Sequence, residues 1–270
     1  MTVDFPRVAL LGVGRMGGAV LAGLLASGWD PSRLVAADPH EPTARAVRDQ
    51  HGVDVLPAIE AVTGADVVVV AVKPSQVAAA LDEVSARLAP GATVVSLAAG
   101  LPIAELAAHL PAGTPIVRVM PNIPALVGLG MAAVSPGPDC PPESVELAER
   151  LLRAVGEVRR VPESAQDAVT AVSGSGPAYV FYVAEAMIDA GVLLGLPRPL
   201  ARDLAVQTLV GAAVMLRDAG EHPTVLRENV TSPGGTTAAA LHVLDEAAVK
   251  AAFARAMLAC RDRSAELAGS

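Results

Sequence analysis

The sequence contains few cysteines and no cluster of metal-binding side chains. Its two cysteines, Cys140 and Cys260, lie too far apart to form a disulfide framework or a Cys-x-x-Cys metal site. Such sparse use of cysteine is typical of proteins from a reducing compartment. We therefore expect neither a structural disulfide nor a metal site.

Positive charge is also scarce, because 20 Lys and Arg residues face 28 Asp and Glu residues and give a net charge of −8. The nearest approach to a basic cluster is Arg153 with Arg159 and Arg160, or Arg261 with Arg263. Nucleic-acid binding requires clustered Lys and Arg on a net basic face. We expect no nucleic-acid partner.

Targeting and membrane signals are weak. Residues 1–5 lead into a strand-like segment without a basic region or a cleavable small-residue site, so no signal peptide is expected. The best candidate for a membrane span, residues 178–194, contains Glu185 and Asp189, whereas a span needs about 20 apolar residues with few charges. We expect a buried helix there, no membrane partner and a cytoplasmic location.

Apolar residues are abundant, at 52% of the chain, and they follow a repeated strand and helix pattern in the first half. The run VVVVAV at residues 67–72 is continuously apolar, which is typical of a parallel strand covered on both faces. The pattern predicts a Rossmann-like doubly wound α/β sheet. Its strands are expected at residues 8–12, 34–38, 53–56, 67–72, 93–97 and 116–120, with helices at 16–27, 43–51, 75–88 and 103–110.

After one more helix at residues 143–155 and a strand at 157–161, the strand signal nearly disappears. We place a domain boundary at about Pro162, between a dinucleotide-binding domain at residues 1–162 and an all-helical domain at 163–270. The stretch at 204–216 is apolar nearly all round, so another surface must cover it, which indicates a subunit interface. Helices are expected at residues 165–172, 177–194, 199–219, 236–244 and 246–267.

The segment GVGRMG follows the first predicted strand directly and opens a helix. Gly12 permits a tight turn, Gly14 lets the backbone approach a pyrophosphate, and Gly17 lets the helix pack closely on the strand. Asp38 ends the second predicted strand, where an acid accepts the ribose hydroxyls of a dinucleotide. The alternative is a glycine-rich turn without a ligand.

Two further segments end strands at the edge where open α/β sheets bind ligands. Lys73, in the segment AVKP, is one of only two lysines in the chain and is placed to reach a cofactor or substrate. Its alternative role is that of a solvated loop lysine. Asn122, in the segment MPN, is placed to hold a ribose or a carboxamide, and it equally fits a cap between two prolines.

The helical half contains two loops, SGSGP and TSPGGTT, that each lead into a helix. Free backbone N–H groups at a helix start bind carboxylates well. Ordinary Ser or Thr caps with glycine turns account for either loop equally well.

Taken together, LLGVGRMGGAV, AVKP, RVMPNIP, SGSGPAYVF and NVTSPGGTTAAALHVLD resemble the pyrroline-5-carboxylate reductase family over residues 8–267. The resemblance implies a Rossmann domain, an all-helical dimerisation domain that interlocks with its partner, and active sites built where two subunits meet. It also implies NADPH or NADH as the hydride donor and 1-pyrroline-5-carboxylate as the small-molecule substrate.

The resemblance also assigns the cofactor residues. It places the pyrophosphate of the cofactor on the glycine segment. The ribose and the nicotinamide then lie along AVKP, and Asn122 and its neighbours lie beside the nicotinamide. The residues carried over in this way are Gly12, Val13, Gly14, Arg15, Met16, Gly17, Ala71, Val72, Lys73, Pro74, Met120, Pro121 and Asn122.

For the substrate, the resemblance implies that a loop binds the carboxylate through backbone N–H groups, and that the Thr237 hydroxyl lies near the imine nitrogen as the catalytic group. The substrate residues are Ser232, Pro233, Gly234, Gly235, Thr236 and Thr237. The implied reaction transfers hydride to a C=N bond, and it needs no catalytic His, Cys or carboxylate pair. His242 is the histidine whose role is least certain.

Two rival functions remain open. One is a different reductase of the same two-domain plan, of the kind that carries a catalytic lysine on its first interdomain helix, and residues 165–172 contain no lysine. The other is a non-catalytic NADP-binding regulatory module, which has no use for TSPGGTT.

The choice between NADH and NADPH depends on the end of the second predicted strand. Asp38, with Glu41 close by, is expected to repel a 2′-phosphate, while His40 and Arg45 oppose this effect more weakly. We expect NADH to be used at least comparably to NADPH. We also expect an obligate homodimer with an interface of about 2,000 Å² or more, and whether dimers assemble further stays open.

Overall fold

The computed structural model describes residues 5–268. Two compact units are present, one formed by residues 5–175 together with 260–268, and one formed by residues 176–259. The boundary that the sequence indicates at residue 162 stays a prediction about functional domains.

The first unit contains one eight-stranded sheet of order β3-β2-β1-β4-β5-β6-β7-β8. All neighbouring strands pair in parallel except β6 and β7, which are antiparallel. This confirms the predicted doubly wound α/β class. The strands are β1 (Val8–Leu11), β2 (Leu34–Ala37), β3 (Asp54–Val55), β4 (Val67–Val70), β5 (Thr93–Ser96), β6 (Ile116–Met120), β7 (Gly130–Pro136) and β8 (Gly156–Arg160).

Helices cover both faces of this sheet and create two hydrophobic clusters. Every residue of β4 is buried, because its alternate side chains enter opposite clusters. A continuously apolar strand therefore suits this central position. The helices of this part of the chain are α1 (Arg15–Ala26), α2 (Glu41–His51), α3 (Ala58–Val62), α4 (Pro74–Val84), α5 (Ile103–Ala108), α6 (Pro142–Arg153) and α7 (Gln166–Val169).

Strand β7 was not predicted from the sequence. It pairs with β6 on one side and with β8 on the other, so it links the predicted strand near residue 160 to the main sheet. Its sequence GMAAVSP contains Gly, Ala and Pro, which are weak strand formers. Pairing on both sides overrides this low propensity.

The prediction of one continuous helix at residues 165–172 is wrong. A 3₁₀ turn at Glu163–Ala165 leads into the short helix α7, and a π-turn at Thr170–Gly174 follows. The backbone N–H of Ser175 donates to the Thr170 carbonyl over 2.8 Å, which is the wider hydrogen-bond spacing of a π-turn.

The second unit is helical, as expected, although the helix α10 (Pro223–Asn229) was not predicted. The helix α8 (Gly176–Leu193) is not buried, contrary to the prediction, because none of its residues is buried within the chain. Leu193 and Leu194, at and just beyond its end, are 88% and 83% exposed. The remaining helices are α8 (Gly176–Leu193), α9 (Arg198–Asp218), α10 (Pro223–Asn229), α11 (Thr236–Glu246) and α12 (Val249–Ala268), the last of which ends in the first unit.

Apolar exposure in the second unit is extensive. Large contiguous apolar surfaces on a single chain mark interaction sites. The residues include Val180, Phe181, Leu204, Val210, Val214, Met215, Leu216, Val243, Leu244 and Leu258. Among the described residues, α9 is the one helix long and apolar enough to cross a membrane by length and composition.

The Glu149 carboxylate forms a charged cluster on α6 in the first unit. Glu149 is 6% exposed and accepts hydrogen bonds from Arg160 Nε and, over 2.8 Å, from Arg153 Nη2. The hydrogen bond from Arg160 lowers the pKa of Glu149, although burial acts in the opposite direction. The ionised carboxylate is thus favoured in the folded state.

We predict that Glu149→Gln lowers the free energy of unfolding at pH 7 by about 1–3 kcal/mol, because two arginines lose a charged acceptor. The depressed pKa contributes stability above the unfolded carboxyl pKa of about 4.3, and this contribution is lost as pH falls through the folded pKa. Urea unfolding of both proteins at several pH values should therefore show the difference narrowing below about pH 4. The exposed Glu146→Gln on the same helix is the control, and an equal loss there would contradict the prediction.

Candidate functional site

The glycine segment lies at the carboxyl end of β1. Gly12 has φ +88°, a conformation that favours glycine, and its N–H donates to the Ala37 carbonyl over 2.8 Å. Helix α1 has neither a side-chain cap nor an acidic residue in its first turn. Its first N–H groups therefore remain suited to an anion.

Gly14 and Gly17 differ in their surroundings. A Cβ atom on Gly14 would meet no atom within 4 Å, which leaves room for a pyrophosphate at the helix start. A Cβ atom on Gly17 would lie 2.0 Å from the Gly12 carbonyl oxygen. Gly17 therefore permits the close packing of helix and loop, and Gly14 leaves the approach to the loop open. Both features fit a bound dinucleotide.

The Asp38 carboxylate bridges two loops at the same edge. Its Oδ2 accepts from Val13 N and its Oδ1 accepts from His40 N, each over 2.9 Å. Asp38 thus fixes the glycine loop as well as marking the end of β2. The sequence predicted its position, and these backbone contacts became visible only in the structure.

The segment after β4 lies directly against the glycine loop, since a Cβ atom on Gly12 would come 2.9 Å from Val72 Cγ1 and Val72 N. Pro74 is the first residue of α4, and Lys73 precedes it with an exposed side chain. The structure thus brings the glycine loop, Asp38 and the segment at 71–74 together, as the pairing of β1 with β2 and β4 requires.

The loop after β5 is a component that the sequence analysis missed. Ala99, Gly100 and Leu101 line a cavity of about 450 Å³ together with Pro74. The strand order could have identified this loop. Since β4 and β5 are parallel neighbours, their carboxyl ends meet at the same edge of the sheet. The other lining residues are Thr170, Ser175, Cys260, Arg263, Ser264 and Leu267.

Asn122 follows β6 at the same edge, and its amide is engaged by the protein. Its Nδ2 donates to the Ser173 carbonyl over 3.0 Å, and its Oδ1 accepts from Met131 N over 2.8 Å. The SGSG segment that contains Ser173 therefore belongs to the first unit up to Ser175, where it forms the π-turn.

In the second unit, the loop before α11 presents backbone donors. Gly234 has φ +67°, and Gly235 N donates to the Ser232 carbonyl over 3.0 Å. Helix α11 begins at Thr236 without a side-chain cap or an acidic residue in its first turn. Thr237, the second residue of the helix, is half-buried. This arrangement suits a carboxylate with a hydroxyl beside it.

The described residues contain no cluster of His, Cys, Asp and Glu that would hold a metal ion. Burial raises the pKa of the Cys140 thiol to about 11, which leaves it protonated at neutral pH. His242 lies on the exposed side of α11, with its Nε2 3.4 Å from Glu246 Oε1. The polar groups near the candidate sites are hydroxyls and backbone donors, together with the side chains of Lys73, Cys260 and Arg263.

Comparison with known proteins gives two matching family models. The model described as pyrroline-5-carboxylate reductase dimerisation matches residues 163–267. The model described as NADP oxidoreductase, coenzyme F420-dependent, matches residues 7–100. These matches cover the helical part and much of the predicted dinucleotide-binding part.

Relatives matched over nearly their whole length have the same name as the first model. A pyrroline-5-carboxylate reductase of Corynebacterium melassecola is 44% identical over 264 residues, which cover 96% of this chain and 98% of the relative. The solved pyrroline-5-carboxylate reductase from Coxiella burnetii has a TM-score of 0.94 at 34% identity, with 98% and 99% of the two chains covered. That of Plasmodium falciparum, solved with NADP bound, has a TM-score of 0.87 at 28% identity, with 98% and 99% covered.

The contrast between Gly14 and Gly17 generates a paired prediction. Gly14→Ala should fold normally and raise the cofactor Kd about tenfold or more, because its methyl group occupies the pyrophosphate approach. Gly17→Ala should lower the free energy of unfolding by about 1–3 kcal/mol through overpacking. Thermal unfolding and fluorescence titration with cofactor measure the two effects. A destabilised Gly14→Ala with normal cofactor affinity would contradict the assignment.

Proposed function

Because the chain belongs to the pyrroline-5-carboxylate reductase family, we propose the roles by which its own residues perform that reaction. The protein is an NAD(P)H-dependent oxidoreductase of proline biosynthesis, which reduces the C=N bond of 1-pyrroline-5-carboxylate to give proline. The observation that carries this function is the full-length similarity to reductases of this name, together with a glycine loop that fits a dinucleotide. The cofactor, when bound, supplies the hydride.

The first unit holds the cofactor in this proposal. Residues Gly12–Gly17 bind the pyrophosphate, since the uncapped start of α1 attracts an anion and Gly14 leaves the approach open. Residues 71–74, with Met120 and Pro121, line the ribose and nicotinamide path at the carboxyl ends of β4 and β6. Asn122 lies beside this path, and its amide is engaged by Ser173 and Met131. Asp38 accepts a ribose hydroxyl with its remaining lone pairs.

The second unit holds the substrate. Residues 232–236 bind the substrate carboxylate through the N–H groups at the start of α11, and Thr237 donates its hydroxyl to the ring nitrogen. As hydride adds to the carbon of the C=N bond, electron density moves to the ring nitrogen, which takes up a proton through the Thr237 hydroxyl. The protein therefore needs mainly to orient the reactants and to place this donor. Orientation alone contributes about 7–11 kcal/mol in favourable cases.

The helical part forms a dimer, in agreement with its dimerisation-domain match, and the exposed apolar side chains of α8 and α9 are suited to burial there. We further propose that the protein is cytoplasmic and has neither nucleic-acid nor membrane partners. The net charge of −8 supports the absence of a nucleic-acid partner.

An assay of cofactor oxidation with pyrroline-5-carboxylate tests the function directly. Rapid substrate-dependent oxidation is expected with either nicotinamide cofactor. A protein that binds the cofactor without turning over this substrate would instead fit a regulatory module or a different reductase.

We predict that Thr237→Ala lowers kcat about tenfold or more while the cofactor Kd stays unchanged. The hydroxyl interaction strengthens as the ring nitrogen becomes an amine, so its loss affects the transition state more than the ground state. Thr237→Ser keeps the hydroxyl and is the matched control, which should retain most of the activity. A weakened cofactor Kd with normal kcat would place Thr237 elsewhere.

The local charges at the end of β2 favour use of NADH. Glu41 Oε1 lies 2.6 Å from Arg48 Nη2 and 4.0 Å from Arg45 Nη2, so its charge is largely compensated. The described hydrogen bonds of the Asp38 carboxylate come from backbone N–H groups, which carry no net charge. The negative charge of Asp38 is therefore expected to repel a 2′-phosphate.

We therefore predict that kcat/KM for NADH is at least comparable to that for NADPH, and that Asp38→Ser shifts the ratio about fivefold or more toward NADPH. The ratio of the two kcat/KM values reports on the charge of Asp38 alone. Loss of the hydrogen bond from Val13 N would disturb the glycine loop and would lower kcat/KM for both cofactors alike. Glu41→Gln, whose charge Arg48 already compensates, should shift the ratio less. Measurements belong at fixed ionic strength, and a wild-type preference for NADPH of about a hundredfold would refute this assignment.

A further inference from the structure

The Asn122 side chain connects three separate segments of the first unit. It extends from the loop after β6, receives the Met131 N–H at the start of β7, and donates to the Ser173 carbonyl in the π-turn. Each polar atom of the amide thus has a backbone partner. Such side-chain bridges fix loops whose backbone groups lack partners in regular structure.

The π-turn at Thr170–Gly174 is contacted by this bridge and by the side chain of Met120. A Cβ atom on Gly174 would lie 2.4 Å from Met120 Cε, so the turn packs against the flexible end of this side chain. π-turns are uncommon and recur at functional sites. Here, Asn122 and Met120, which are two residues apart, hold the turn from one strand end.

The first residue of the π-turn, Thr170, and the residue that follows the turn, Ser175, line the 450 Å³ cavity. Pro74 faces this cavity from the proposed nicotinamide path. The Ser175 hydroxyl also accepts a hydrogen bond from Cys260 Sγ over 3.3 Å. Displacement of the turn would therefore change one wall of the cavity and leave the glycine loop intact.

We propose that Asn122 is a positioning residue, which sets the wall of this cavity by holding the π-turn through the Ser173 carbonyl. This inference rests on the proposed function, since the cavity matters only if the nicotinamide end of the cofactor lies beside it. Asn122 acts on the reacting groups through the turn, and the pyrophosphate loop is independent of it.

Three variants test the inference in the full-length dimer. Asn122→Asp keeps an acceptor for Met131 N and loses the donor to Ser173, whereas Asn122→Ala loses both hydrogen bonds. Gly174→Ala adds a methyl group against Met120 Cε and crowds the turn without any change of charge. We expect the two Asn122 variants to lower kcat at least tenfold, and Gly174→Ala to lower it less because the end of the Met120 side chain can shift. All three should increase the deuterium isotope effect measured with 4-deuterated NADPH, because poorly placed reactants slow hydride transfer.

Two measurements distinguish a positioning role from partial unfolding of the protein: the NADPH Kd and the hydrogen exchange of the π-turn. The NADPH Kd should change less than twofold, and titration should still give one cofactor site per chain, which a partly unfolded protein would not. Hydrogen exchange of the peptide that spans residues 166–176 should accelerate in all three variants. The double variant of Asn122→Ala with Gly174→Ala should lose little more activity than Asn122→Ala alone, because both changes act on one turn.

Normal kcat in Asn122→Asp, unchanged exchange at residues 166–176, or independent effects that multiply in the double variant would each overturn the inference. A tenfold weaker NADPH Kd in Asn122→Ala would show direct cofactor contact and would also overturn it. The wild-type assay keeps the two hypotheses apart. An inactive wild-type protein refutes the proposed function, and an active one with unaffected Asn122 variants refutes only the positioning role.

Discussion

The parallel pairing of β1 with both β2 and β4 determines where the proposed cofactor contacts lie. This pairing brings the carboxyl ends of β1, β2 and β4 to one edge of the sheet. The glycine loop, which follows β1, therefore lies between the ends of β2 and β4. Asp38 then fixes the loop from one side through Val13 N, and Val72 packs against Gly12 from the other. Because these contacts are short and involve backbone atoms, the loop has little freedom to rearrange, and its geometry is prepared before a ligand arrives.

The second unit follows a different physical rule. Its helices have apolar side chains on faces that the chain itself does not cover, such as Leu204, Val210 and Val214 on α9. A single chain that exposes them has a large hydration cost, and in the proposed dimer a second copy removes this cost by mutual burial. The apolar stretch at residues 204–216 of α9 therefore suits the proposed dimer interface better than the core of one chain.

The sequence predicted the features with strong local patterns, which are the apolar strands, the glycine motif and the helical second half. It did not predict β7, whose GMAAVSP sequence becomes a strand because β6 and β8 pair with it on both sides. Helix α10 has only seven residues, too few for a helical period to be recognised. The π-turn was unpredictable for a related reason, because contacts from Asn122 and Met120, far away in sequence, specify it.

The proposed sites bind anions chiefly through backbone donors, with Arg15 and Lys73 as the cationic side chains in the cofactor-binding segments. The cofactor phosphates and the substrate carboxylate are anions, and the chain has a net charge of −8. Helices α1 and α11 both begin without a side-chain cap and without an acidic first turn, although an ordinary cap stabilises a helix by about 0.5–2 kcal/mol. Leaving these N–H groups uncapped keeps donors and the helix dipole available to a ligand. Fixed dipoles attract an anion without a titratable group, so binding at these helix starts does not depend on the protonation of a histidine or a lysine.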